Sequence, residues 1–264
     1  MIYYGATIAR AVSCTGRDTA GKRLAKVRLS PAEPGAGIVF NGGLRATLAN
    51  ASVCDHTTCI GRGRRKVRMV EHLLAACYGV GVSDLAVETG TSLPMGDGSA
   101  APYLHLLTKA GIVRYRDGPG PARLKQPVLV KQGTRFIAAV PARALVINCL
   151  TRFPEFGTQF CAFAITPASF RRAVVWARTF VLTGVSSAAL RSMYRLRFRL
   201  RRAGRFVCPW RWRVPDEPCR HKALDLLGDL ALLGRPLAAE VFAFMPGHRL
   251  NIAFARKVEK ELEA

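Results

Sequence analysis

The chain has 264 residues, half of them hydrophobic, enough for one large domain or two of ordinary size with a packed core. No apolar run reaches the roughly 18–20 residues that a bilayer-spanning helix needs, and the first residues lack a basic stretch followed by an apolar one, which favours the cytoplasm. Lys and Arg total 40 against 17 acidic residues, a formal charge of +23, so the chain expects something anionic nearby: nucleic acid, a nucleotide-diphosphate sugar and an anionic inner leaflet all suit that field.

In chain order, the pattern predicts short strands at 24–29 and 37–40, then a helix after Glu71-His72 whose apolar spacing runs through Tyr78 to a break at Gly79-Val80-Gly81. A strand at 85–88 follows, then a turn at Gly96-Asp97-Gly98 and a helix with Ser99 as N-cap that closes near Gly111. Residues 117–125 have linker composition, centred on Asp117-Gly118-Pro119-Gly120-Pro121. Beyond them lie strand candidates at 128–130, 136–140 and 144–149. His221 opens a second helical pattern that ends at Gly234, followed by a strand at 238–244, a Pro246-Gly247 turn and an amphipathic helix over 249–262.

The second half thus repeats the order of the first. His72 to Ser99 and His221 to His248 are both 27 residues apart (99 − 72 and 248 − 221), as two copies of one unit would be. The expected fold class is α+β: two similar sheet-plus-helices domains, 1–120 and 121–264, packed as a sandwich with the site between them.

Three of the five histidines lie in Glu71-His72, in His221-Lys222-x-x-Asp225-x-x-x-Asp229 and in Gly247-His248. Residues four apart share a helix face, so His221, Asp225 and Asp229 point the same way, and His72 completes a set of two His and one Asp. That is the three-ligand count of hydrolytic zinc sites. Glu71, beside a ligand, is placed to take a proton from the attacking water. Singly, each motif has a duller reading: a Glu-His pair before an apolar run is ordinarily a helix start, and a helical His-Lys pair is ordinarily surface. Asp97 reads as a turn residue and His105 as a packed or surface histidine. The eight scattered cysteines read as reduced, mostly structural thiols, and the Cys54 to Cys59 stretch lacks a matching half for a second metal site.

The words Met69-Val70-Glu71-His72-Leu73-Leu74-Ala75-Ala76, Met95-Gly96-Asp97-Gly98-Ser99-Ala100-Ala101-Pro102-Tyr103, Arg178-Thr179-Phe180, Arg220 through Leu230 and Gly247-His248 occur in an order that resembles the UDP-3-O-acyl-N-acetylglucosamine deacetylases, the zinc amidases of lipid A biosynthesis. The resemblance implies removal of acetate from UDP-3-O-(3-hydroxyacyl)-N-acetylglucosamine with Zn2+ held by His72, His221 and Asp225. It implies Glu71 as base and His248 as acid or electrostatic partner, with Asp229 orienting His248 and Thr179 stabilising the oxyanion. Lys222, Arg135 and Phe180 are implied substrate contacts, with Thr58-Cys59 in a loop nearby. Peripheral contact with an anionic membrane fits the charge, and nucleic acid is not the expected partner.

Two stretches depart from the family. Gly16 to Gly21 lacks the usual Gly-Leu-His-Ser/Thr-Gly word, and residues 191–213 carry nine arginines with Trp210 and Trp212 where the family has an apolar insert for the acyl chain. That segment reads as a basic aromatic surface, a poorly ordered stretch or a reading-frame error. The competing functional reading is a decayed homologue that binds nucleic acid or anionic membrane; the intact set of Glu71, His72, His221, Asp225, Asp229 and His248 argues against it.

Overall fold

A computed structural model describes residues 5–18, 23–116, 118, 120–182 and 200–263. Two sheets of the same connectivity organise it. In the first, the strands lie in the order Val12–Arg17, Leu24–Ser30, Leu85–Thr89, Ile38–Phe40, Leu44–Arg45. In the second, the order is Val128–Gln132, Arg135–Pro141, Leu237–Phe244, Val146–Phe153, Gly157–Ala164, with the short Ala122–Arg123 joined in parallel to Leu237–Phe244. Each sheet receives its last strand in the middle. That strand runs parallel to the one after it in this order, while the other neighbours in the order are antiparallel. The spacing match in the sequence therefore corresponds to a real repeat of topology.

In each half one helix precedes the central strand and one follows it: α1 (Glu71–Val80) and α2 (Ala101–Ala110), then α3 (Glu217–Leu230) and α4 (His248–Glu263). Every residue of α1 except Tyr78 is buried, as is every residue of α3 except Arg220 and Lys222. A helix enclosed on all sides must sit between layers. Accordingly, α1 packs on α3, α3 on α4 and on Val146–Phe153, α2 on Val12–Arg17 and α4 on Val128–Gln132. One core joins both halves, running from Val27 and Leu29 through Leu73, Leu226 and Leu227 to Ile147. Burial of this continuous apolar surface, at about 25 cal/mol per Å², is what holds the layers together.

Element boundaries differ from the sequence reading, most plainly at three helices. The helix α1 runs through Gly79 and Val80 and reverses only at Gly81, which has φ 81°. Gly79 is there for space, since a β-carbon on it would stand 2.3 Å from the Phe170 ring. The helix α3 starts at Glu217 rather than His221, because Pro218 in its first turn is preset for helix and lacks the N–H that would go unused there. Ala100, not Ser99, occupies the N-cap of α2; the Ser99 hydroxyl still accepts from the Ala101 N–H and donates to Asp97.

Residues 191–199 of the arginine-rich stretch lie outside the described residues. The remainder folds as a hairpin of Leu200–Ala203 and Phe206–Pro209, extended by Val181–Leu182. Two of its arginines are in ion pairs: Arg205 with Glu155 at 3.2 Å, and Arg213 with Asp97 at 2.9 Å. Among the described residues no helix is long and apolar enough to cross a membrane.

Candidate active site

The site forms where α1, α3 and α4 meet. Glu71 and His72 occupy the first turn of α1 and His248 opens α4, while His221, Asp225 and Asp229 line one face of α3. Gly228 lets α3 reach α1: a β-carbon there would stand 2.2 Å from the Glu71 carbonyl oxygen. All six side chains are buried.

His72, His221 and Asp225 come together with their ligand atoms within 4.8 Å of one another. The two imidazole Nε2 atoms face the same Asp225 Oδ1, from 3.7 Å for His72 and 3.4 Å for His221. These separations exceed a good N–H···O bond, as donors converging on a common point would. His221 Nδ1 lies 3.0 Å from the Ala177 carbonyl, so the proton sits there and the Nε2 lone pair is free. Burial pushes the His221 pKa down to about 4, keeping the ring neutral. Burial alone would raise Asp225, but the cationic groups around it, Lys222 and His248 among them, hold it well below the usual carboxylate range. His72 Nδ1 is buried with no hydrogen-bond partner among the described residues. Two neutral-capable imidazoles and a carboxylate fit a divalent ion of the zinc class.

Beside this cluster lies a second network. His248 Nδ1 is 2.9 Å from Asp229 Oδ2, and its Nε2 faces Glu71 Oε1 at 3.8 Å and Asp225 Oδ2 at 3.9 Å. Burial works against protonation of His248, yet Asp229, Asp225 and Glu71 outweigh it and lift the pKa to about 9. Burial raises the Glu71 pKa above its ordinary value, partly opposed by His248 and His72.

Thr58 and Asn251 belong to this network and were not singled out as site residues in the sequence. The Thr58 hydroxyl donates to Asp229 Oδ1 at 2.5 Å and lies 3.1 Å from His248 Nδ1, while its backbone N–H donates to Glu71 Oε2 at 3.1 Å. Asn251 Nδ2 donates to Asp229 Oδ2 at 2.8 Å. Asn251 stands three residues past His248, and that proximity was the available signal; Thr58 had none beyond its family word.

The remaining expected residues sit around the edge. Thr179 is two residues beyond the carbonyl that holds His221, and its N–H donates to Gly98 at 2.8 Å. The preceding Arg178 is fixed by the fully buried Glu217, which accepts from its Nε at 2.8 Å and its Nη2 at 3.0 Å. Phe180 stands edge-on to His221 at 6.2 Å and carries the Lys222 ammonium over its face at 5.5 Å. Lys222 also pairs with Asp225 Oδ2 at 2.7 Å, so it touches a ligand-set carboxylate. Arg135 is exposed, with a guanidinium nitrogen 4.0 Å from where a Gly247 β-carbon would be, and so lies at the rim beside His248.

A profile of the UDP-3-O-acyl N-acetylglycosamine deacetylase family matches residues 5–260. The UDP-3-O-acyl-N-acetylglucosamine deacetylase of Chlamydia felis is 33% identical over 272 residues, covering 97% of each chain. Its namesake in Anaeromyxobacter sp. strain Fw109-5 is 34% identical, covering 96% of this chain and 87% of its own. That of Solibacter usitatus is 31% identical over 96% and 90%. The chain belongs to the UDP-3-O-acyl N-acetylglycosamine deacetylase family.

Proposed function

We propose that this protein is a zinc-dependent amidase that hydrolyses the N-acetyl group of UDP-3-O-(3-hydroxyacyl)-N-acetylglucosamine. The observation that carries this reading is the joint burial of His72, His221 and Asp225 beside Glu71 and a His248 anchored on Asp229. When bound by His72, His221 and Asp225, Zn2+ supplies Lewis-acid polarisation of the amide carbonyl and makes water a stronger acid. Glu71, steadied by the Thr58 N–H on Oε2, takes the water proton on its other oxygen. His248 gives the proton on Nε2 to the departing amine while Asp229 holds Nδ1, so acetate and a free amine leave.

Thr179 supplies a hydroxyl to the charge that develops on the carbonyl oxygen. Lys222 and Arg135 receive the diphosphate, and Phe180 packs against the substrate. The same reading places the reaction in the cytoplasm, divides the chain into units 1–120 and 121–264, and assigns exposed Trp210 and its neighbouring arginines to peripheral contact with anionic lipid.

Acetate release from the UDP-sugar by purified protein tests the proposal. Glu71→Ala should cost roughly 100-fold or more in turnover with the ion retained. Turnover at the parent rate in that variant would put the base elsewhere.

A further inference from the structure

Three of the eight cysteines, far apart in sequence, meet at one buried point away from the site just described. Cys149 and Cys161 are directly opposite each other on the antiparallel strands Val146–Phe153 and Gly157–Ala164. Cys219 comes down on them from the first turn of α3. Their sulfur atoms lie within 4.8 Å of one another, with Cys161 Sγ 3.5 Å from Cys219 Sγ. All three are free thiols and buried.

Buried cysteines commonly serve as small apolar fillers. Two features go beyond filling. Three sulfurs share one centre, and Thr151, wholly buried on the same strand face as Cys149, has its hydroxyl within reach of the Cys219 sulfur and no oxygen or nitrogen partner among the described residues. A thiol is a weak partner for a hydroxyl, which leaves oxygen lone pairs that a cation could use. A tetrahedral ion with metal–sulfur bonds of about 2.3 Å would hold its sulfurs roughly 3.8 Å apart, close to the spacing already present.

We propose that Cys149, Cys161 and Cys219 form a second, sulfur-based site for a thiophilic divalent cation of the zinc and cadmium class, with the Thr151 hydroxyl as the oxygen donor. Binding exchanges three thiol protons for one cation: three S–H bonds break, three metal–sulfur bonds form, and the protons go to solvent. No oxidation is involved. The ion would fasten the start of α3 to the second sheet two residues before His221, and so act on the active-site helix from behind.

The test uses the full reduced chain, stripped of metal and titrated with Cd2+. Thiolate-to-cadmium charge transfer absorbs in the ultraviolet, and the set His72, His221, Asp225 contains no sulfur, so cadmium bound there is silent in this readout. We expect the band to appear and to be lost in both Cys161→Ser and Cys149→Ser, but kept in Cys77→Ser, whose buried thiol lies outside the cluster. Cadmium should also protect Cys149, Cys161 and Cys219 of the unsubstituted protein from alkylation during mild partial unfolding, a measurement that needs no variant to fold. A missing band, a band unchanged in Cys161→Ser, or equal alkylation with and without cadmium would each overturn the proposal.

Discussion

Gly228 on α3 lies against Glu71 on α1 so closely that a methyl group on the glycine would stand 2.2 Å from the Glu71 carbonyl oxygen, 2.8 Å from its carbonyl carbon and 3.1 Å from its Cα. The obstacle is backbone, so no side-chain rotation relieves it. Gly228→Ala should push the helices apart, destabilise by about 3 kcal/mol, and separate Glu71 and His72 from the residues of α3. Chemical denaturation and zinc content check this; unchanged values for both would mean that the helices can part without consequence.

His221→Ala and Asp225→Ala should each remove one equivalent of zinc, because each supplies a ligand atom to the same cluster. Chelation should abolish turnover and added zinc should restore it. Cys161→Ser should leave this equivalent in place, which distinguishes the two proposed sites. Elemental analysis of the purified variants gives the answer directly.

The rate should pass through a maximum with pH. His248 must carry its proton to donate it, and its pKa is raised to about 9, so activity falls as pH rises through that value. Glu71 must be ionised, and burial raises its pKa, so activity falls on the acid side at a pH above that of an ordinary glutamate. Stability follows the same sign for His248: its contribution is full below the ordinary histidine value near 6.5 and is lost as pH rises through about 9. Asp229→Asn removes the carboxylate nearest His248 Nδ1 and should move the alkaline limb down. An alkaline limb that stays in place would separate it from His248.

Thr58→Val keeps the backbone N–H on Glu71 and removes only the hydroxyl that serves Asp229. Leaving that buried carboxylate oxygen without a donor should cost about 1–3 kcal/mol. Turnover should drop about 10-fold through loss of His248 orientation, an effect of roughly 1.4 kcal/mol on the barrier. Equal loss of stability with no change in the pH profile would reduce Thr58 to a packing residue.

Glu217→Ala removes the bidentate partner of Arg178 from a site with no solvent exposure. Arg178 is partly exposed and still donates from Nη2 to the Arg211 carbonyl, so the lost charge-assisted bonds should cost about 1–3 kcal/mol. The thermal midpoint reports it, and a fall in turnover larger than the fall in folded fraction would show that Thr179 had moved with Arg178.

The parts of this structure that could be read from the sequence are those written in local periodicity. The helix faces of His221, Asp225 and Asp229, and the paired order of helix, strand, turn and helix, follow from spacings of four residues and of 27. The helix α3 was predicted too short because Glu217 and Pro218 precede the apolar repeat yet are helical. Thr58 is not legible as a site residue because its three connections span 13, 171 and 190 residues, and nothing local announces them. The three-cysteine cluster was hidden for the same reason: Cys149 and Cys161 are brought opposite each other only by strand register, and Cys219 only by the docking of α3.

The division of labour between the two halves has a further consequence. Glu71 and His72 belong to the first repeat, and His221, Asp225, Asp229 and His248 to the second, so neither repeat carries a complete site. Each half alone would hold an incomplete set, so the two halves act as a covalently tethered pair. Metal retention is then a gauge of how firmly the halves clasp: under gentle denaturation the ion should be released as the clasp opens, while each sheet still keeps its own strands paired.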